Sequence, residues 1–245
     1  WLKYHPCVAR VERAAMGACC VGRTKDELQW SSVLRITKIK ALSGQDAGLQ
    51  AFVAKVARDE EARFANAVRV GFFWPREDEL VQVALWSKGQ SLRKHKKGLR
   101  DWYKRELAGV AEVHSAYDFD GALWKSYVRG TPQLGHYCRV IGYKFRDEDP
   151  HAECMSMEAE LQTQVLTRVW DMLIQPEYAG DLLVAAIASA PSPLTVLVWL
   201  VFANKDDCAK YVAEVRPRLL EVLEPVLDGP PFLSEEGRLE TLIPA

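Results

Sequence analysis

The segment that most constrains the fold of this chain is Ser91–Leu107, which reads S-L-R-K-H-K-K-G-L-R-D-W-Y-K-R-E-L. At 100° per residue its cations recur along one side of a helix, and its apolar side chains gather on another. We therefore predict an amphipathic helix with a cationic ridge made of Arg93, Lys97, Arg100 and Lys104. Closely spaced cations repel one another unless an anion neutralises them, so a phosphate backbone is a suitable partner. A solvated surface helix is the simpler alternative.

The ridge belongs to a basic first half that precedes an acidic second half. Residues 1–110 hold 21 Lys and Arg against 12 Asp and Glu, a balance of +9, and residues 111–245 hold 11 against 21, a balance of −10. This asymmetry predicts an acidic partner for the first half, or packing of the two halves on each other. We divide the chain into a basic helical region (1–130), a linker or irregular segment (131–155) and an acidic helical region (156–245).

Helical spacing of apolar residues is the main secondary-structure signal. After Asp46, a suitable N-cap, apolar residues follow the i, i+3, i+4, i+7 pattern of a buried helix face. Proline and acidic residues mark the starts of several further segments. In addition to 46–58 and 91–107, we predict helices from Asp59, from Glu77 after Trp74-Pro75, over 108–125, from Ser156, and over 181–190, 193–204 and 207–227.

Two segments are ambiguous, and a third is expected to be extended. Ser31–Leu42 alternates like a strand but also has helical spacing, which we prefer. Leu194–Ala203 is rich in β-branched residues like a buried strand, yet helical neighbours favour a buried helix. Tyr137–Phe145 is the segment expected to be extended. The predicted fold is all-α, either a HEAT-like helical-repeat solenoid or a multilayer helical bundle, although no repeat period emerges.

Three fragments resemble a GTPase motif set. They are Gly17–Thr24, with arginine in place of the phosphate-loop lysine, D-x-x-G at Asp118–Gly121 and N-K-x-D at Asn204–Asp207. A phosphate loop must leave a buried strand and open a helix, and the residues before Gly17 do not form such a strand. A degenerate GTPase-like nucleotide-binding protein is therefore kept as an alternative.

Metal and catalytic motifs are weak in this sequence. His136, Cys138, His151 and Cys154 have a spacing that zinc can use, but paired C-x-x-C knuckles are missing. We predict no metal and no cofactor. No G-x-S-x-G, H-E-x-x-H or C-x-x-C motif occurs, so no catalytic residues are assigned and a non-catalytic role is favoured. Six scattered cysteines indicate a reducing compartment, cytoplasmic or an organellar matrix, and thus an intracellular protein.

Part of the first half resembles a known RNA-binding family. Leu92-Arg-Lys94, Leu99-Arg-Asp-Trp-Tyr103 and Arg105–Ala108 follow Trp74-Pro75 in an order that is similar to the TROVE module of the Ro autoantigen family. The resemblance covers about residues 50–132 and implies a ring of helical repeats with RNA on its basic outer surface. The family's tryptophan-serine-histidine segment is missing after Tyr117.

The function expected from the sequence is a non-catalytic RNA-binding or scaffolding subunit of a ribonucleoprotein or other assembly, without a membrane segment. Cations would hold phosphates, and an exposed aromatic ring could stack on a base. A protein-only adaptor is the competing class, with other protein subunits as its partners. The predicted RNA-binding residues are Arg93, Lys94, Lys96, Lys97, Arg100, Trp102, Lys104 and Arg105.

Overall fold

The structure is a computed structural model that describes residues 33–59, 67–86, 89–146, 155–175, 182–191 and 194–244. Its elements run twice through the order β-α-β-β-α-β. The first repeat contains β1 (Val33–Ala41), α1 (Asp46–Asp59), β2 (Ala67–Arg76), β3 (Glu79–Trp86), α2 (Gly89–Glu106) and β4 (Ala111–Val128). The second contains β5 (Tyr137–Lys144), α3 (Met155–Leu173), β6 (Leu182–Pro191), β7 (Leu194–Phe202), α4 (Lys205–Lys210), a π-helical turn (Tyr211–Val215), α5 (Arg216–Leu223), a 3-10 turn (Glu224–Val226) and β8 (Leu233–Pro244).

The strands close into a barrel in the order β1-β3-β2-β8-β5-β7-β6-β4. All neighbouring strands are antiparallel, and the β2–β8 and β4–β6 pairs join the two repeats. Within each repeat the fourth strand lies beside the first, which lies beside the third and then the second. That order and the β-α-β-β-α-β sequence make each repeat a ferredoxin-like unit. Closure gives each described strand a neighbour on both sides, which removes open edges.

The described residues form three apolar cores. One fills the barrel interior and includes Leu34, Val83 and Trp199. The other two lie between the outer face of the barrel and the helices of each repeat, around Trp102 in the first and Trp170 in the second. Burial of apolar area on both faces of the sheet stabilises the fold and fixes which side chains can reach each layer.

The all-α prediction is wrong, because most segments assigned as buried helices are strands covered on both faces. All eight residues of β3 are buried, and β7 has the same apolar character. A strand of this kind loses the period-two alternation that separates it from a helix in the sequence. The strands lie at 33–41, 67–76, 79–86, 111–128, 182–191 and 194–202, where helices were predicted or preferred.

The genuinely one-faced helices were predicted correctly. α1 buries Leu49, Phe52 and Val56, α2 covers most of the basic segment, and α3 follows Met155. The segment 207–227 is helical up to Val226, and Tyr137–Lys144 is extended as β5, within the stretch assigned as a linker. None of the helices in the described ranges combines the length and the apolar composition that a bilayer crossing requires.

Candidate functional site

Among the described residues, buried polar side chains pair in the helix-facing layer of the first repeat, where Tyr103 Oη donates to Gln82 Oε1, and in two further clusters on opposite faces of the sheet. In the barrel interior, Lys38 Nζ lies 2.6 Å from Glu235 Oε1 and 3.0 Å from Glu79 Oε2, and all three side chains are almost fully buried. Desolvation alone would lower the Lys38 pKa, but hydrogen bonds and attraction from both carboxylates outweigh it and raise that pKa. The three groups satisfy one another, so we assign them a structural role.

The second cluster lies outside the barrel, under α4 and α5 of the second repeat, and centres on Arg139 of β5. Only 8% of the Arg139 side chain is exposed. Its Nη1 donates to Glu236 Oε2 on β8, and its Nη2 donates to Ser234 Oγ at 3.2 Å. Its Nε is buried and finds no hydrogen-bond acceptor among the described residues. A guanidinium has five N–H donors, so this one is only partly used.

The helical side of the cluster depends on a π-helical turn. Pro217 has no N–H and its ring crowds the carbonyl four residues earlier, which disfavours a regular helix at this point. The chain instead forms the π turn Tyr211–Val215, closed by a hydrogen bond from the Arg216 N–H to the Tyr211 carbonyl oxygen. Five residues apart, these two side chains would diverge by about 140° in an α-helix. The π turn brings both against the sheet near Tyr143, where Arg216 Nε is also buried with no acceptor in the described part of the chain.

The neutral groups in this cluster are held in their protonated forms. Burial raises the pKa of Tyr211 well above its ordinary value, and burial raises that of Tyr143 although the Arg216 guanidinium acts in the opposite direction. Burial and the nearby Glu236 carboxylate raise the Cys208 pKa to about 11. With Tyr and Cys neutral at pH 7, two arginines face one carboxylate. The cluster therefore carries an excess positive charge that suits a small organic anion.

The position of Arg139 repeats within the chain. It is the third residue of β5 and lies opposite Glu236 of β8, the fourth strand of its repeat. Arg35 is the third residue of β1 and lies opposite Asp120 of β4, the fourth strand of the first repeat. Around Arg35, however, the helix-facing layer is filled by tilted aromatic rings, including Phe52 and Trp102 at 5.4 Å. That layer also holds the hydrogen bond from Tyr103 Oη to Gln82 Oε1. Among the described residues, the second repeat differs in placing a helical arginine, Arg216, as well as a tyrosine in the same layer as its strand arginine.

The residues predicted to bind RNA are distributed differently from the expected ridge. Lys97, Arg100, Lys104 and Arg105 are exposed on α2, and Arg105 Nε lies 3.4 Å from Glu106 Oε1. Arg93, Lys94 and Lys96 lie on the same helix, in a part whose side chains are outside the described set. Trp102 is 1% exposed and packs in the first-repeat core, so its ring offers no face to a base. That these cations bind phosphate stays a prediction.

The remaining sequence motifs do not form sites. Asp118–Gly121 lies within β4, and Asn204 caps α4 by accepting from the Asp207 N–H. These two GTPase-like fragments therefore belong to a strand and a helix cap, and Gly17–Thr24 lies outside the described residues. Of the zinc candidates, Cys138 is buried in the barrel interior and His151 and Cys154 lie outside the described residues. No cluster of three or more metal-ligating residues occurs within the described ranges.

Sequence patterns gave little indication of this cluster. Its members come from β5, β8 and the segment 208–216, and Arg139 and Glu236 are 97 positions apart. One local signal existed. Arg139 is a lone charge within the apolar stretch Y-C-R-V-I-G-Y, and a charge buried in a strand needs a partner or a function.

Comparison with solved structures agrees with the fold. A Lactobacillus acidophilus protein provisionally assigned as a monooxygenase is 11% identical, with 87% of this chain and 96% of that chain covered at a TM-score of 0.58. An anthrone oxidase-like protein is 11% identical, with coverages of 86% and 92% and a TM-score of 0.58. A heme-binding protein from Thermus thermophilus is 14% identical, with coverages of 85% and 90% and a TM-score of 0.51. No family model matches the sequence, and no curated protein resembles it in sequence.

These similarities overturn the sequence-based identification. The three solved structures share the barrel-forming fold of this chain at low sequence identity, whereas the TROVE resemblance implied a ring of helical repeats. That resemblance was wrong, because it rested on common residue types in two helix-forming segments and on Trp74-Pro75, which lies in β2. The RNA-binding scaffold and the adaptor were predicted for a helical-repeat protein, and the GTPase-like alternative was predicted from three short motif fragments. The structure and its neighbours support none of the three.

The described residues do not fit a heme. A heme needs an axial ligand such as a histidine or a thiolate, and an open slot for the ring. His136 is the one histidine whose side chain is described, and its Nδ1 accepts from the Gln133 N–H in a turn. Burial raises the pKa of Cys138 to about 12, which keeps this thiol protonated. In the second helix-facing layer, the Phe202 and Tyr211 rings pack 5.4 Å apart, in the middle of the core.

Proposed function

We propose that the chain is a monooxygenase-like enzyme that binds an acidic phenolic or enolic molecule at the Arg139 cluster and promotes its reaction with O2. The observation that carries the proposal is the buried Arg139 guanidinium, which shares the surroundings of Tyr211 with a second arginine, Arg216. The Nε atoms of both arginines are buried and have no acceptor among the described residues. The two guanidinium groups attract the anion of a bound phenol or enol and oppose the rise in pKa that burial causes.

The anion matters because it is the electron-rich form that reduces O2. Anthrone is a suitable test molecule because its enol tautomer is a phenol. Its oxidation is balanced without a further reductant: anthrone and O2 give anthraquinone and water, the CH2 carbon becomes a carbonyl, and the second oxygen atom leaves as water. Arg139 and Arg216 would hold the anionic oxygen.

The similarity to an anthrone oxidase-like protein and to a provisional monooxygenase supports this class of reaction, although the identities of 11% establish the fold alone. Other polar features offer less. Two open depressions of about 520 and 540 Å³ lie on α3 and beside Trp74, and their linings are surface side chains. Buried donors that have no acceptor among the described residues stabilise a charged group more strongly than solvent-exposed side chains do.

The test is O2 consumption and anthraquinone formation with anthrone, measured against the spontaneous reaction in buffer. We expect wild-type protein to accelerate both processes and to consume one O2 for each anthraquinone formed. Arg139→Gln should reduce the rate about 100-fold, which is the typical loss when one preorganised donor is removed. Arg100→Gln, which changes an exposed arginine of α2, is the matched control and should retain full activity. Equal rates for Arg139→Gln and wild type, or no acceleration by wild type, would overturn the proposal.

A further inference from the structure

The Arg139–Glu236 pair is unequal in its burial. The Arg139 side chain is 8% exposed, whereas the Glu236 side chain is 41% exposed. The carboxylate therefore reaches inward from the solvent edge to a cation that is fixed inside the layer. Rotation of Glu236 away from Arg139 would return the carboxylate to water, where it needs no partner, but would leave the guanidinium buried without its counter-ion. Glu236 can therefore leave Arg139 favourably only if another anion binds the guanidinium instead.

The backbone that carries Glu236 is held in place, so that only the side chain can move. A Cβ at the next residue, Gly237, would lie 2.4 Å from the Trp74 carbonyl oxygen, which shows how closely β8 passes β2 here. On the other side, Glu235 points into the barrel and is bound to Lys38. Glu236 stands between two fixed residues with its own side chain at the surface.

The other groups around Glu236 are weak competitors for Arg139. Cys208 Sγ lies 4.0 Å from Glu236 Oε2, and burial keeps this thiol neutral by raising its pKa. Ser234 Oγ accepts one guanidinium N–H and leaves the charge uncompensated. Among the described residues, Glu236 is the one carboxylate that hydrogen-bonds Arg139.

We propose that Glu236 is a displaceable internal counter-ion, which occupies the place beside Arg139 that the anionic oxygen of an aromatic substrate takes on binding. The inference rests on the proposed function, because it takes the ligand to be the same aromatic anion. It adds that affinity is set by competition: the substrate must displace a carboxylate already bound to Arg139. Neutral analogues, which cannot neutralise Arg139, are discriminated against.

Binding can be measured without turnover by fluorescence titration with anthracene-9-carboxylate, a planar aromatic that carries a permanent negative charge. We expect Glu236→Gln to bind this probe about 10-fold more tightly than wild type, because the competing charge is removed and the guanidinium is left in need of an anion. Arg139→Gln should weaken binding at least 10-fold. The uncharged 9-anthracenemethanol should bind equally to wild type and to Glu236→Gln.

Glu240→Gln is the matched control, because Glu240 lies on the same strand, is similarly exposed at 48% and contacts Arg238 at 3.9 Å. It should leave probe affinity unchanged. Thermal unfolding with and without probe gives a second measurement, and the probe should raise the Tm of Glu236→Gln more than that of wild type. Equal or weaker binding by Glu236→Gln, or no binding to either protein, overturns the inference.

The two proposals can fail separately. If Glu236→Gln binds the probe more tightly but wild type does not accelerate anthrone oxidation, the reaction is wrong and the counter-ion exchange stands. If wild type oxidises anthrone with the expected dependence on Arg139 but Glu236→Gln gains no affinity, the exchange is wrong and the reaction stands.

Discussion

Tyr211 and Arg216 are joined by a π-helical hydrogen bond from the Arg216 N–H to the Tyr211 carbonyl oxygen, and both side chains interact with Tyr143 of β5. An irregular turn of this type is rare and often occurs at functional sites. Here it has a local cause in Pro217, and it serves to place a phenol and a guanidinium together above Tyr143.

We predict that Pro217→Ala lets the π turn relax towards a regular α-helix, because the missing N–H is restored. The Arg216 side chain would then rotate away from Tyr211, and affinity for anthracene-9-carboxylate should fall about 10-fold, the loss of one charge-assisted contact. Stability should change by less than about 1 kcal/mol, since alanine favours a helix. Pro225→Ala, in the 3-10 turn, is the control and should leave affinity unchanged. Unaltered binding by Pro217→Ala would show that the turn does not position Arg216.

The barrel-interior triad predicts unequal roles for two lysines of β1. Lys38→Met leaves Glu235 buried without its cation and should lower the free energy of unfolding by about 3–5 kcal/mol. Lys40→Met removes a lysine that is 48% exposed and contacts Asp78 and Glu79 at 3.8 Å, and should cost at most about 1 kcal/mol. Urea unfolding at pH 7 measures both. Adding Glu235→Gln to Lys38→Met should recover part of the lost unfolding free energy. Similar losses for the two lysine variants would contradict the structural role assigned to the buried triad.

Stability is predicted to fall at alkaline pH, and Cys138 contributes to the fall. Burial raises its pKa from 9.0 to about 12, so the folded state keeps the proton that the unfolded state releases. Its contribution is fully present below pH 9 and is lost as pH rises towards 12, by roughly 2–3 kcal/mol at pH 11. We expect a smaller loss between pH 8 and 11 in Cys138→Ala, measured by urea unfolding under reducing conditions. The quantity compared is the change in unfolding free energy with pH. The cavity at position 138 lowers stability by a similar amount at each pH and so does not affect that comparison.

Replacing glycine by alanine is expected to lower stability at one position and to raise it at another. A methyl group at Gly237 would lie 2.4 Å from the Trp74 carbonyl oxygen and 2.8 Å from the Phe73 ring, and neither can move freely in the closed barrel. Gly237→Ala should therefore destabilise the protein by about 1–3 kcal/mol or more. Gly98 lies in α2 with nothing within 4 Å of the added Cβ, so Gly98→Ala should stabilise by up to about 1 kcal/mol. Thermal unfolding of the two variants distinguishes them, and a stable Gly237→Ala would mean that β2 and β8 can separate.

The helices could be predicted because each has one buried face. In α2 the spacing of Leu99, Trp102 and Tyr103 placed these residues on an apolar side, and all three are buried there. The cations of the same helix were assigned to the opposite side, and Lys97, Arg100 and Lys104 are exposed. The pattern fixed the faces of the helix. It did not show whether its cations have a partner.

The sequence by itself determined the amphipathic helices and the extended state of Tyr137–Lys144, because each depends on residues a few positions apart. Tertiary structure alone decided that segments such as Leu194–Phe202 are strands, since burial on both faces erases the alternation that marks a strand. It also decided that two repeats without recognisable sequence similarity close one barrel. The contact between Arg139 and Glu236 was also decided by tertiary structure. It arises because β5 pairs with β8 across the second repeat, and no local sequence pattern encodes that pairing.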